Sequence, residues 1–430
     1  MDVLLIGTGG VDGWPQDGCH CASCMRARAS GRRREPGRVL LDGQLEICPD
    51  QNIHMGTRSS SSAAHQITQV SGGWDITGPD GSRLLLAAGP GQIPTPLAES
   101  LPFDVALLDV LAEPARIGWL RGSGVLRPGA EVVALYCDHR ISSEREMDRR
   151  CTFWGVTKGR DGQLIHVRPT DPASGQAVAG DVHASPFPRP HRTLIIGGAR
   201  SGKSTEAELR LSAEPDVVYL AAGPWAAAST DPASGQEGWA NHEGAPDTEW
   251  AQRVAAHRAR RPSWWQTVES LDIAGVLRRE QGAILIDGIG TWLAAIMDEA
   301  GMWADGAERE RAARDRAARE LAAQDLAAQD LAAQDLAEQD LSGLGLPVVQ
   351  PGTSGAAAIV ADRVTDLISA WRETSALVVA VTDQVGSGLV PAYPAGRVFR
   401  DQLGWLNQAI AAESELNLQV VAGRVVTLPD

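Results

Sequence analysis

Short runs of consecutive apolar residues alternate with amphipathic stretches over the second half of the chain. TLIIG (193–197), VVYLAA (217–222), AILID (283–287) and ALVVAVT (376–382) lack a polar face, the pattern of strands covered on both sides in a parallel sheet. Helical patterns occur at about 203–213, 248–259, 290–299, 355–372 and 396–412, and LQVVAGRVVTL (418–428) reads as a closing hairpin. Strands and helices that alternate in this way predict an α/β unit with a mainly parallel sheet and flanking helices. The beginning of the chain is richer in strands, with VLLIG (3–7), LEIC (45–48), RLLLAA (83–88), DVALLDV (104–110) and EVVALY (131–136). A mixed α/β or sandwich-like layer is expected there.

Residues 168–192 are rich in Pro, Ala, Gly and Ser without periodicity and read as a linker. They separate a module at 1–167 from one at 193–430. The heptapeptide TDPASGQ occurs twice, at 170–176 and at 230–236, and its second copy lies in a loop-like stretch, 224–247, read as a surface insertion. A second insertion, 303–352, contains pentads over 311–340: RAARD, RAARE, three LAAQD and LAEQD. Their helix propensity is high. Five residues, however, turn an α-helix by about 500°, or about 140° net, so Leu321, Leu326, Leu331 and Leu336 share no stripe. An expanded, solvated helix is expected, rather than a coiled coil.

With 430 residues, 43% of them hydrophobic and 22% charged, the composition is globular. The net charge of −15 argues against nucleic acid as a partner. No apolar run approaches membrane-span length, and MDVLLIGTGG lacks a basic leader, so a cytoplasmic location is expected. All but two of the 39 basic residues are Arg, the exceptions being Lys158 and Lys203. The six Cys (19, 21, 24, 48, 137 and 151) all lie in the first module, and a tight cluster of that kind suits a metal better than a disulfide framework.

The eight residues Gly197, Gly198, Ala199, Arg200, Ser201, Gly202, Lys203 and Ser204 fit G-x-x-x-x-G-K-[ST] between a predicted strand and a predicted helix. Glycines let backbone N–H groups close around phosphate oxygens at a helix N-terminus. Lys203 supplies a compact cation for the β/γ-phosphates, and the Ser204 hydroxyl can ligate Mg²⁺. Asp287, which closes AILID, is the natural carboxylate partner for that ion. A P-loop NTPase or kinase follows from these residues.

GGARSGKS, VVYLAAG, RVAAHRARRPSWWQTVES, AILIDGIGTWL and VTDQVGSGLVP…GRVFRDQLGWLNQAIA occur in that order over about 193–429. The series resembles the bifunctional adenosylcobinamide kinase/adenosylcobinamide-phosphate guanylyltransferase family of cobalamin biosynthesis. The resemblance implies a RecA-like P-loop fold, phosphorylation of the aminopropanol hydroxyl of adenosylcobinamide by ATP or GTP, and GMP transfer from GTP through a guanylylated histidine. That histidine corresponds to His257 of the H-x-x-x-R-P block. An imidazole with a pKa of about 6.5 is mostly neutral and nucleophilic at pH 7. The resemblance further implies that Ala221, Ala222, Gly223, Arg258, Ala259, Arg260, Arg261, Glu269 and Asp287 line the guanine-nucleotide site, and that the chain is a homo-oligomer, a trimer. The family's usual T-N-E-V-G reads Thr382-Asp383-Gln384-Val385-Gly386 in this chain.

LLIGTGG…GCHCASCMRAR resembles the start of metallo-β-lactamase-fold hydrolases, above all the phosphodiesterase branch with a Cys-x-Cys-x-x-Cys insertion. Such enzymes need an H-x-H-x-D-H cluster to hold two metals around a hydroxide. The corresponding region here offers His54 and His65 around a Ser-rich stretch, and a catalytic metal-His position near the end of the module reads Tyr136. By the same resemblance, Cys19, Cys21, Cys24 and His139 would form a closed Cys₃His site suited to structural Zn²⁺. The alternative is unliganded thiols in a decayed loop. The reading is therefore a catalytically silent module fused to a cobinamide kinase/guanylyltransferase. The alternatives are a metal-dependent hydrolase fused to a regulatory P-loop module, and a degenerate nucleotide-binding scaffold, which Gln384 would favour.

Overall fold

The computed structural model describes residues 1–48, 52–55, 65–70, 73–88, 101–169, 191–223, 261–302 and 355–429. The pentads, both TDPASGQ copies, the expected helix at 248–259 and most of the expected linker lie outside the described residues. Two compact units emerge: Met1–Arg189 with Leu209–Asp216, and Pro190–Glu208 with Val217–Asp430.

The first unit contains β1 (Asp2–Gly7), α1 (Ala22–Ala29), β2 (Arg38–Leu41), β3 (Leu45–Cys48), β4 (Asn52–Met55), β5 (Gln66–Val70), β6 (Gly73–Thr77) and β7 (Arg83–Ala87). β8 (Phe103–Asp109), α2 (Ala115–Gly122), β9 (Leu126–Leu135), α3 (Glu144–Trp154), β10 (Thr157–Lys158) and β11 (Leu164–His166) follow. One sheet runs β11-β1-β2-β3-β4 and is antiparallel. The other runs β10-β9-β8-β7-β6-β5, parallel from β10 to β7 and antiparallel beyond. The period-2 alternation of strands sends Val3, Leu5, Val39, Leu41 and Ile47 into one core with Leu84, Leu86, Leu107, Val133 and Leu135. The residues between these, Leu85, Ala106, Leu108 and Val132, pack instead with Ile117 and Leu120 of α2 and Met147 and Trp154 of α3. The layer is a two-sheet sandwich with helices on one face. α3 starts at Ser143, whose side chain accepts from Glu146 N–H, and stops at Gly155, whose left-handed φ of 60° a side chain would resist. Trp154 Nε1 donates to Leu209 O at 2.8 Å and Arg121 Nη1 to Ala213 O at 3.0 Å, which holds Leu209–Asp216 in this unit.

The second unit contains β12 (Arg192–Gly197), α4 (Lys203–Leu211, in this unit as far as Glu208), β13 (Val217–Ala221), β14 (Gln266–Glu269), α5 (Ile273–Arg279), β15 (Ala283–Asp287) and α6 (Ile289–Glu299). α7 (Gly355–Glu373), β16 (Leu377–Asp383), α8 (Pro394–Ala412), β17 (Leu416–Val421) and β18 (Arg424–Thr427) complete it. The sheet order is β14-β13-β15-β16-β12-β17-β18, parallel except for the last pair. The hairpin turns on Ala422 and Gly423, with φ of 48° and 69°. Two positive values in succession suit a tight turn between twisted strands. One face of the sheet (Leu194, Leu220, Ile284, Ile286, Val378 and Ala380) packs on α5 to α8. α7 meets it with Val360, Val364, Leu367 and Trp371, a helical stripe.

Candidate active site

Parallel strands carry the residues at their carboxyl ends to one edge, where α/β sheets bind ligands. The register here aligns Gly197 with Asp383, Ala221 with both Glu269 and Asp287, and Asp287 with Val381. Five chain segments far apart in sequence therefore finish side by side. Gly197 leads into a loop in which Arg200 and Gly202 have φ of 56° and 98°. Gly202 bears the larger angle without a Cβ to clash, whereas Arg200 stores some strain, a feature found where loops are shaped for ligands. Ser201 N donates to Gly198 O at 3.3 Å, and Gly423 N donates to Ser201 O at 2.8 Å, which secures the loop against the hairpin turn. α4 then begins at Lys203, so the loop closes onto a helix N-terminus.

Lys203 Nζ lies 2.9 Å from Asp383 Oδ1 and donates to Gly198 O at 3.2 Å. Ser204 Oγ donates to Asp287 Oδ1 at 3.3 Å. The Tyr219 hydroxyl donates to the other oxygen, Asp287 Oδ2, in a short hydrogen bond. Tyr219 is almost wholly buried in β13, and Arg261 lies over its ring, with Cζ 3.1 Å from the centroid. Burial, reinforced by the Asp287 charge, pushes the Tyr219 phenol far above its ordinary range. It stays protonated, so it can only donate to the carboxylate. Paired hydroxyl and carboxylate oxygens at the start of the P-loop helix are the donor set that Mg²⁺ takes alongside phosphates.

The predicted residues Gly197–Ser204, Ala221–Gly223, Glu269 and Asp287 are thus at one strand edge. Arg261 reaches the same carboxylate system through Tyr219. His257, Arg258, Ala259 and Arg260 lie outside the described residues. Two residues at this edge are not legible as site residues in the sequence. Tyr219 sits in a run, VVYLAA, that reads as core, and Asp383 stood out only as a departure from T-N-E-V-G.

The first unit has its own cluster. The ligand atoms of Cys19, Cys21, Cys24 and His139 all lie within 4.8 Å of one another. α1 builds it, since Cys21 is its N-cap and its Sγ accepts from Cys24 N at 3.4 Å, and Cys24 stands on the first turn. His139 comes from the loop after β9, its Nδ1 3.7 Å from Cys19 Sγ. The Cys24 N–H holds the Cys21 thiol below its usual range, while burial pushes Cys24 up to about 11. Three sulfurs and one imidazole at this spacing fit a tetrahedral ion with Zn–S bonds of about 2.3 Å. Elsewhere in the unit, His65 pairs with Asp42 at 2.8 Å, and the side chain of His54 is outside the described residues. At the ends of β8 and β9, Arg140 donates to Asp138 at 2.8 Å and to Asp109 at 3.0 Å.

A strand–loop–helix phosphate cradle with the Asp287 carboxylate at the end of the parallel strand one removed from it defines a P-loop nucleotide-binding protein of the phosphotransferase kind. Residues 193–428 match the family described as cobinamide kinase / cobinamide phosphate guanyltransferase. The chain belongs to that family, whose members use GTP and ATP as substrates. It is 29% identical over 239 residues to the bifunctional adenosylcobalamin biosynthesis protein CobP of Pseudomonas aeruginosa, a match that covers 54% of this chain and 94% of that protein. The similarity to the bifunctional adenosylcobalamin biosynthesis protein CobU of Salmonella typhimurium is also 29%, over 241 residues, 54% of this chain and 95% of the relative. CobU of Escherichia coli K12 is 26% identical over 236 residues. Among the described residues, no helix is long and apolar enough to cross a membrane.

Proposed function

We propose that the second unit phosphorylates adenosylcobinamide with ATP or GTP and then converts the phosphate to adenosylcobinamide-GDP, with one triphosphate site for both reactions. Gly197, Gly198, Ala199, Arg200, Ser201 and Gly202 would wrap the phosphates with backbone N–H groups, and Lys203 would exchange its carboxylate partner for phosphate oxygens. Ser204 and Asp287 would hold Mg²⁺, which screens phosphate charge when bound. The nucleoside would lie across Ala221, Ala222, Gly223 and Glu269, with Arg258, Ala259, Arg260 and Arg261 on its triphosphate side. In the second reaction the His257 imidazole would attack the α-phosphorus of GTP and expel pyrophosphate. The phosphate of the corrinoid would then take GMP from the histidine. The observation that supports this most is the register that sets Gly197, Asp287 and Asp383 side by side around Lys203 and Ser204. Chromatography of adenosylcobinamide incubated with ATP, and then with GTP, should give first the phosphate and then the GDP adduct. Recovery of unchanged adenosylcobinamide would refute the assignment.

For the first unit, the reading is a metallo-β-lactamase-like module without catalysis that carries one structural Zn²⁺ on Cys19, Cys21, Cys24 and His139. Four protein ligands leave no position for a nucleophilic water. Arg140 supports the silent assignment, because its cation already neutralises Asp109 and Asp138 at the ends of β8 and β9. The whole chain would work as a homo-oligomer, a trimer, in the cytoplasm.

A further inference from the structure

The Lys203 ammonium group, which the cradle needs for phosphate, is already engaged. Nζ faces Asp383 Oδ1 at 2.9 Å and donates to Gly198 O at 3.2 Å, so it reaches from the start of α4 to the end of β16. Asp383 is fixed in turn. It pairs in register with Gly197, its carbonyl accepts from Asn407 Nδ2 at 3.2 Å, and the next N–H, of Gln384, donates to Gly197 O at 3.0 Å. Asn407 is buried and is itself oriented by the Thr382 hydroxyl at 2.7 Å. Asp383 Oδ2 lies against the first turn of α6, where a Cβ added to Gly290 would stand 3.0 Å from it.

The two carboxylates at this edge differ in what remains to them once a nucleotide binds. Asp287 keeps the Tyr219 hydroxyl as a donor. Among the described residues, Lys203 is the one donor to the Asp383 carboxylate. When Lys203 turns to phosphate oxygens, that carboxylate is left with its charge uncompensated beside a polyanion. Binding therefore carries two costs, the broken ion pair and the repulsion of like charges. Neither cost arises with an amide at this position. The family's usual T-N-E-V-G has Asn there, so the carboxylate is a departure of this chain.

We propose that Asp383 sets the triphosphate affinity of the P-loop: it latches Lys203, and a nucleotide must open the latch to bind. The inference rests on the nucleotide-site reading above. The latch acts on the β- and γ-phosphates that Lys203 would contact, and not on the base, the ribose or the α-phosphate. It weakens binding without entering the chemical step. Half-saturation therefore moves to a higher triphosphate concentration while kcat stays the same.

Asp383→Asn in the full chain keeps the shape and removes the charge. Calorimetric titration with Mg²⁺ and a GTP analogue that has a methylene group between the α- and β-phosphorus reads affinity alone, because this analogue cannot pass GMP to the protein. GMP, which lacks the phosphates that Lys203 would contact, is the control ligand. The variant should bind the analogue about 10-fold more tightly, while GMP affinity stays nearly constant. Asp383→Glu, which keeps the charge, should bind the analogue nearly as the wild type does. In phosphorylation of adenosylcobinamide by Asp383→Asn, the KM for ATP should fall and kcat should stay within about threefold of the wild type. An analogue affinity in Asp383→Asn equal to or weaker than that of the wild type would overturn the proposal, and a weaker one would make Asp383 a ligand of the Mg²⁺–nucleotide complex. A tightening shared equally by GMP would also overturn it. If the wild-type chain binds neither ligand, the nucleotide-site reading itself fails, a result distinct from these.

Discussion

Tyr219→Phe removes one oxygen and keeps the ring under Arg261, so it isolates the hydrogen bond to Asp287. In the wild type, Asp287 Oδ2 accepts from the Tyr219 hydroxyl and Oδ1 from Ser204 Oγ at 3.3 Å. Tyr219 is 1% exposed, so water has little room to replace its hydroxyl. A hydrogen bond to a charged group contributes about 1.5–3 kcal/mol, which corresponds to about 10- to 150-fold in an equilibrium constant. The Ser204 contact survives, which places the expected loss toward the lower end. Because the bond orients the carboxylate proposed to hold Mg²⁺, the loss should fall on GTP affinity in the presence of Mg²⁺ and nearly vanish with EDTA. Titration calorimetry in both conditions measures this, and a thermal scan checks that the fold is retained. Equal GTP affinities for variant and wild type with Mg²⁺ present would show that the Tyr219 hydroxyl does not hold Asp287 for the ion. An equal loss in EDTA would show that Tyr219 acts on the nucleotide or the fold rather than through the ion.

In the first unit, Glu144 is buried and accepts from Arg34 Nε at 2.5 Å, Arg34 Nη2 at 2.9 Å and Lys158 Nζ at 2.9 Å. Glu144→Gln should destabilise that unit by about 3–5 kcal/mol, read by denaturant titration, because Arg34 is left buried without its counter-charge. Burial alone would raise the Glu144 pKa, but Arg34 and Lys158 outweigh it and hold the group at about 2 against an ordinary 4.5. The wild type should therefore lose this stability as pH falls from 4.5 toward 2, while the variant loses less there, only what Asp80 and Glu146, also held low, contribute; parallel pH profiles would contradict the pairing. Elemental analysis of protein prepared without chelators should find one zinc per chain, and Cys21→Ser should release it and lower the melting temperature of the first unit. No zinc would refute the site, and two ions with phosphodiester hydrolysis would refute a silent module.

The P-loop was legible because its chemistry is local: eight consecutive residues, a strand before and a helix after. The buried strands were legible for a similar reason, since a parallel strand covered on both faces must be apolar throughout. β14 leaves no strand signal in the sequence because it is a short edge strand whose residues Gln266–Glu269 are mostly exposed, so no apolar run announces it. β9 extends upstream of the apolar EVVALY through Pro128 and Gly129, where φ is 79°, residues outside any apolar run that sit in a register irregularity against β8. Tyr219 and Asp383 depend on long-range placement. The role of Tyr219 appears only when Tyr219 is paired in register with Leu285, two residues before Asp287. Asp383 becomes a site residue only through the pairing of β16 with β12. The Cys cluster was visible as spacing, but its fourth member, His139, lies 120 residues from Cys19 and needed the resemblance.

On the function proposed above, this chain carries GMP on His257 during guanylyl transfer. The full-length protein should be incubated with Mg²⁺ and GTP labelled at the α-phosphate, then denatured, digested and mapped by mass spectrometry with and without acid treatment. One GMP adduct per chain is expected, on His257, stable to base, lost in acid and discharged by adenosylcobinamide phosphate. No adduct is expected in His257→Ala, while that variant still phosphorylates adenosylcobinamide. A GMP adduct on another residue, or guanylyl transfer that survives His257→Ala, would rule out His257 as the carrier.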